Sequence, residues 1–280
     1  MKKIKLHPGV LLIISAELLF TIASLLVKIL AKDFEISSQQ AAFFRFFLGF
    51  LIVCTAIFIK KIKIIPNNKK AIAGRALFNT IAVFFYYLSL RYTSITKANI
   101  LNMTYPIFVA GLAPFILKEK VTGKKILLLM LAFVGIFLVL NPELSTINRG
   151  DVFALISGML AAFSIMSLRT ARKTDSTLTV LFYLMTFGLL LNGAFIRTFI
   201  FPNVLAVNLL LLCGLVSFFG QVLFTMGYKH VTAIEGSITS NSRILFAGLL
   251  GILFFQEMIT IKILLGAALI IYTTVSIKRD

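Results

Sequence analysis

Glu119-Lys120-Val121-Thr122-Gly123-Lys124 and Glu257-Met258-Ile259-Thr260-Ile261-Lys262 read alike. Each is Glu-x-x-Thr-x-Lys between two apolar runs, and the copies stand 138 residues apart. Carried outward at that shift, Leu112, Leu127 and Leu131 fall on Leu250, Leu265 and Leu269. Leucine matches are cheap in an apolar chain. Ala98, Asn102 and Ala110 are more telling, because they fall on Gly236, Ser240 and Gly248 and so keep small or polar character. Any two loop-flanked apolar spans can be made to align. The equal division of the chain into five apolar segments on each side favours a duplicated unit. The expected units are residues 1–141 and 148–280. A unit with an odd number of spans enters the membrane in the opposite sense when repeated, so the fold expected is all-α and integral to the membrane, with ten transmembrane helices as two inverted five-helix repeats.

Composition points the same way. Hydrophobic residues are 59% of the 280, and charged residues 14%. A water-soluble domain is about 45–50% apolar and about 25% charged. The spans are expected near 9–30, 40–59, 71–90, 96–117, 124–140, 152–170, 178–199, 204–227, 234–255 and 259–276. Each is near the ~20 residues that a helix needs to cross a bilayer. β-barrel strands would alternate over about 10 residues, which these runs do not. The short loops between them leave no room for a soluble catalytic domain. The basic N-terminus runs into the first span with no small-residue cleavage site, which reads as a retained helix.

The formal net charge of +18 would suggest nucleic acid in a soluble protein. Here the charge sits in the loops. Eighteen Lys and Arg fall on one side and six on the other, with Lys28, Arg45, Arg75 and Arg243 inside spans. That asymmetry sets both termini in the cytoplasm, and in a bacterium the membrane is the inner one. Cys54 and Cys213 lie inside apolar runs without ligand spacing, so neither a disulfide nor a metal site is expected.

Ala42-Phe43-Phe44-Arg45-Phe46-Phe47, Tyr86-Tyr87-Leu88-Ser89-Leu90, the stretch from Pro106 to Glu119, Gln221 and the run from Gly251 to Glu257 together resemble the EamA family of the drug/metabolite transporter superfamily. The resemblance implies ten helices, cytoplasmic termini and a central cavity lined by helices 1–4 and 6–9. It implies peripheral helices 5 and 10, the surface that a homodimer would use. Typical members carry an aromatic residue, often Trp, in helix 1, where this chain has Glu17 and no Trp at all. The Phe-Phe-Arg run and the Arg of helix 9 are similar to a subgroup that takes up S-adenosylmethionine.

Ionisable residues inside a span are costly, by about 2.5–3.5 kcal/mol on insertion scales, and so face a cavity or a partner. Glu17, Thr21, Ser24 and Lys28 repeat at spacings that put them on one face of helix 1. Glu17 suits a cationic group or a proton, which makes it the proton-coupling candidate. It also suits a buried partnership with Arg45 or Arg243. Arg45 fits an ion pair or a substrate carboxylate. Arg75, near the start of helix 3, is expected to snorkel to the headgroups. Asn79 is one turn deeper on the same face, and Tyr86 follows. Asn99, Asn102 and Pro106 share a face of helix 4, and Pro106 frees the Asn102 carbonyl and can kink the helix. Helix 9 runs Ser237-Ile238-Thr239-Ser240-Asn241-Ser242-Arg243, with Arg243 in mid-span. Its fork suits a carboxylate or phosphate, or Glu17. Ser217, Gln221 and Thr225 form a stripe on helix 8 that serves as helix glue or as a binding wall.

The candidate substrate-binding set is therefore Glu17, Thr21, Ser24, Arg45, Asn79, Tyr86, Asn99, Asn102, Gln221, Ser240 and Arg243. Together they point to a secondary transporter of a small polar organic metabolite working by alternating access. The opposite charges of Glu17 and Arg243 suit an amino acid or an amino-acid-bearing metabolite such as S-adenosylmethionine. No Gly-x-x-x-x-Gly-Lys-Ser/Thr run is present for ATP. An intramembrane enzyme is the alternative. It would need a nucleophile with a base, yet neither His7 nor His230 lies in a span. A subunit that translocates or assembles lipid carriers is a third reading and would need a lateral opening. No catalytic residue, cofactor or metal is expected. The expected partners are a small-molecule substrate and the lipid bilayer, not nucleic acid.

Overall fold

The computed structural model describes residues 7–89, 92, 93, 98, 101–140, 147–194, 200–255 and 261–277. In hydrocarbon a backbone must satisfy its own hydrogen bonds, so apolar runs of this length become helices. They are α1 (Pro8–Phe34), α2 (Ser38–Lys60), α3 (Lys69–Ser89), α4 (Tyr105–Ile116), α5 (Gly123–Leu140), α6 (Arg149–Thr174), α7 (Thr177–Ala194), α8 (Val204–Gly227), α9 (Ala233–Ser240), α10 (Ser242–Phe255) and α11 (Ile261–Ser276). Polar side chains close their N-termini: Ser37 on α2, Asn203 on α8, and capping boxes of Asn148 with Asp151 on α6 and of Thr232 with Glu235 on α9. Among the described helices, α1, α2, α6, α7 and α8 combine the length and apolarity needed to cross a bilayer.

Each of the ten expected spans meets a described helix, but two of them are broken. The fourth span turns at Met103 and Thr104 before α4 begins. Pro106 lies in the first turn of α4, where its missing N–H costs nothing. The ninth span, expected as one helix over 234–255, breaks at Asn241 into α9 and α10. No proline is involved. Ser237, Thr239 and Ser240 donate their hydroxyls back to the carbonyls of Ile234, Glu235 and Gly236, and Asn241 closes the turn by donating to Ile238 O at 3.1 Å. Such back-bonding competes with the helical ladder and bends it. Met103 and Asn241 are equivalent under the 138-residue shift.

The packing follows the same exchange. α3 lies along α6 and α1 along α8, two contacts that interchange when the halves are swapped, while α2 meets α7 and α5 meets α11. Close approaches mark these seams. A Cβ on Gly227 of α8 would lie 3.1 Å from Gly9 O of α1, and one on Gly150 of α6 would lie 2.8 Å from Ser89 O of α3. Gly227 and Ser89 are again 138 residues apart. α5 and α11 keep one side on each other, where a Cβ on Gly135 would meet Gly266 O at 2.9 Å, and turn a row of apolar side chains such as Leu127, Met130, Leu264 and Ile271 outward.

At Gly188 of α7 an added Cβ would sit 2.3 Å from the buried ring of Phe46 on α2, whereas at Gly111 of α4 it would meet nothing within 4 Å. Gly188→Ala should therefore cost about 1–3 kcal/mol of stability through overpacking. Gly111→Ala should gain up to about 1 kcal/mol of helix propensity. Thermal unfolding of the two variants in one detergent compares them, and equal shifts would remove this account of the α2–α7 seam.

The main core cluster gathers at one end of the bundle, from Val10 and Ile13 through Ala71, Ala113, Leu168 and Tyr228 to Ile234 and Ile277. This end carries both described chain ends and most of the basic loops, and we refer to it as the basic face. Hydrogen bonds and ion pairs join the two halves there. Glu119 accepts from Ala233 N at 3.2 and 3.0 Å, at the start of α9, and its Oε1 is 3.7 Å from Arg169 Nε. Arg169 donates to Tyr228 O and Lys229 O, both at 3.0 Å. Lys125 pairs with Glu235 at 3.2 Å. The Asp175 carboxylate accepts from Asn67 N at 2.6 Å and Asn68 N at 3.1 Å. The first Glu of the repeated motif thus fastens the other half. Its counterpart Glu257, with Met258, Ile259 and Thr260, lies outside the described residues.

Candidate functional site: an ion pair beside two broken helices

The break before α10 aims Arg243 back toward α1. Its Nε donates to Glu17 Oε2 at 2.7 Å. The pair is unevenly covered: the Glu17 side chain is 2% accessible and that of Arg243 is 38%. The carboxylate is closed in, and the guanidinium is left partly accessible. Phe20, one turn along α1, supports it, with Arg243 Cζ 5.2 Å from the ring centroid. Arg45 of α2 approaches the same ring, with Cζ at 5.3 Å. Arg45 Nη2 also donates to Gln221 Oε1 of α8 at 3.3 Å, and Gln221 in turn donates to Thr225 Oγ1 at 3.4 Å. Four elements, α1, α2, α8 and α10, thus bring Glu17, Arg243, Arg45 and Gln221 around Phe20.

The other candidates divide. Ser240, the last residue of α9, meets the hydroxyl of Tyr105 across the two breaks. Tyr86, half-buried on α3, is close enough to Arg243 to interact with its charge. Thr21 and Ser24 spend their hydroxyl protons on their own helix, donating to Glu17 O at 2.7 Å and Phe20 O at 2.8 Å. Asn102 is drawn away: its Nδ2 donates to Ser157 Oγ of α6 at 2.8 Å, and Ser157 donates to Ala82 O of α3 at 2.7 Å, which ties three helices together. Asn79 is half-buried on α3. Asn99 lies outside the described residues.

Arg75 does not snorkel. It is 3% accessible, its Nη1 donates to Ser164 Oγ of α6 at 2.7 Å, and its Cζ lies 5.9 Å from the Phe224 ring. The α3–α6 seam is polar enough at Ser164 to hold the charge, so the side chain turns inward. Phe20 and Tyr105 are the residues that sequence reasoning missed. A signal for Tyr105 was present, since the repeat shift sets it opposite Arg243. The same shift sets Glu17 opposite Leu155 and Arg45 opposite Tyr183, so the charged site belongs to one quarter of the bundle and has no charged counterpart in its pseudo-symmetric mate.

The model of the EamA-like transporter family matches residues 7–141 and again 148–278. The chain belongs to this family. An uncharacterized transporter of Archaeoglobus fulgidus is 28% identical over 265 residues, covering 93% of this chain and 92% of that one. A pseudopaline exporter of Pseudomonas aeruginosa is 24% identical over 277 residues, 98% and 97% of the two chains. Solute carrier family 35 member G1 of Mus musculus is 24% identical, covering 95% of this chain and 77% of its own. A crystal structure superposes with a TM-score of 0.79 at 15% identity, over 95% of this chain and 94% of that one, and shows the shared fold. This EamA-like protein is a multi-pass membrane transporter and not an enzyme. Its substrate is a small molecule, and its medium is the bilayer.

Proposed function

We propose that this EamA-like transporter moves an amino acid, or a metabolite bearing an amino-acid group such as S-adenosylmethionine, by alternating access in a bacterial inner membrane. The observation that carries the reading is the unequal cover of the Glu17–Arg243 pair. A zwitterion can enter from the open side of Arg243, give its carboxylate to the guanidinium and its ammonium to Glu17, and so replace one ion pair with two. Charged side chains at membrane depth serve such exchanges, because an ion leaving water needs a partner of opposite sign. Ser240, Gln221, Tyr86 and Asn79 supply neutral polar groups around it. Transport by rocking of two inverted halves about a midplane site fits the paired breaks, which leave helix ends at that depth. The test is a thermal-shift screen of the purified protein against amino acids, nucleosides and S-adenosylmethionine, followed by uptake into proteoliposomes. Stabilisation by nucleosides alone would overturn the amino-acid reading.

Glu17 is also the proposed proton-coupling residue. Glu17→Gln should abolish gradient-driven accumulation while leaving solute binding measurable, and unchanged accumulation would exclude it.

The charge asymmetry of the loops supports cytoplasmic termini. In a background with both native cysteines replaced, Lys63→Cys, in the exposed loop between α2 and α3, should react with an impermeant thiol reagent only after cells are permeabilised. Ile147→Cys, 86% exposed ahead of α6, should react in intact cells. The reverse pattern would invert the orientation.

A further inference from the structure

An amino-acid group engages one carboxylate and one guanidinium, yet Phe20 carries two guanidiniums. Arg45 and Arg243 lie 5.3 and 5.2 Å from its centroid, so their separation is bounded by the sum of those distances, within the span of a short chain. Glu17, Arg45 and Arg243 carry a formal charge of one minus and two plus. Glu17 is the one carboxylate in mid-helix among the described residues, since Asp33, Asp151 and Glu235 occupy first or last turns. A monocarboxylic amino acid, with no net charge, leaves the surplus as it is. An amino acid with a second acidic group removes it. Arg45 is set for that group: α8 fixes its Nη2 through Gln221, α1 supports its face through Phe20, and the side chain is half-buried. A guanidinium oriented in advance loses little freedom when it grips a carboxylate.

We propose that the transported solute is an amino-acid derivative with a second acidic group, and that Arg45 is the residue that selects it. The proposal rests on the amino-acid reading of the Glu17–Arg243 pair. Isosteric probes isolate the second charge, because glutamate and glutamine, or aspartate and asparagine, differ by little else. Binding of each to the full-length protein is measured by thermal shift and by counterflow in proteoliposomes. The wild-type protein should prefer the acid of each pair by at least about tenfold, the scale of one charge-assisted contact. Arg45→Gln should abolish that preference, bringing the affinity for each acid down to that for its amide. Arg45→Lys should keep part of it, since charge remains and the fork is lost. The amide-induced shift shows that each variant is folded. A preference that survives in Arg45→Gln, or equal binding of acid and amide by the wild type, overturns the proposal. A wild-type protein that binds none of the four overturns the proposal, and stabilisation by S-adenosylmethionine or another amino acid in the same assay shows that the amino-acid reading stands without it.

Discussion

Arg243→Ala should destabilise the protein by about 3–5 kcal/mol, and adding Glu17→Gln should return a large part of that loss. The reason is the covering of the pair. Glu17 is 2% accessible, and its Oε2 is 2.7 Å from the Arg243 Nε. Alanine at 243 removes the partner and leaves a carboxylate in a medium that cannot solvate it. Glutamine at 17 removes that orphaned charge, so the double variant should be more stable than Arg243→Ala alone. The coupling energy of the cycle reports the pair itself. Arg243→Lys keeps the charge but presents a compact ammonium in place of the planar group, and should fall between. Thermal unfolding of the wild type, the two single variants and the double variant provides the cycle. Additive losses would show that the two residues do not depend on one another.

A second large effect is expected at Glu119, 114 positions along the chain from the backbone N–H that it holds. Both of its carboxylate oxygens accept from Ala233 N, at the positive end of α9, with Arg169 alongside. Glu119→Ala removes this cap and leaves α9 fastened at its start by Thr232, Glu235 and Lys125. A hydrogen bond to a charged group is worth about 2 kcal/mol. The population with the basic face open should therefore rise by about 30-fold. Ile238 is fully buried on α9, so Ile238→Cys in a cysteine-free background reads that opening through its rate of thiol labelling. Equal labelling rates with and without Glu119 would show that the staple does not close this face.

Helix placement was legible because apolar runs and basic loops obey one-dimensional rules. The span expected at 204–227 is α8 to the residue, and the repeated Glu-x-x-Thr-x-Lys motif aligns Met103 with Asn241, where both broken helices turn. The break at Asn241 was not legible. It arises from three hydroxyls donating to carbonyls within α9, and such residues also occur in unbroken helices. The candidate site was legible in its charges but not in their partners. Glu17, Arg45 and Arg243 stood out by their cost. Which arginine meets Glu17 depends on how α1, α2 and α10 cross, and helical periodicity carries no record of that. Arg75 shows the converse, because Ser164, 89 residues away, turns its guanidinium inward. Phe20 was lost among 28 phenylalanines.

Gly158 of α6 and Phe20 of α1 occupy equivalent positions in the two halves. At Gly158 the absent Cβ would lie 2.9 Å from Asn102 O, so α6 grips the broken fourth span backbone to backbone. At Phe20 a ring stands under Arg243, beside the other break. Two identical inverted halves would relate the inward-open and outward-open states by a two-fold rotation in the membrane plane and make them degenerate in free energy. Here one hinge is clamped by bare backbone and the other is cushioned by a ring between charges, so that degeneracy is lifted within the fold itself. Under alternating access the two end states would then differ in free energy, a difference that comes from residue substitutions between the halves and not from the architecture.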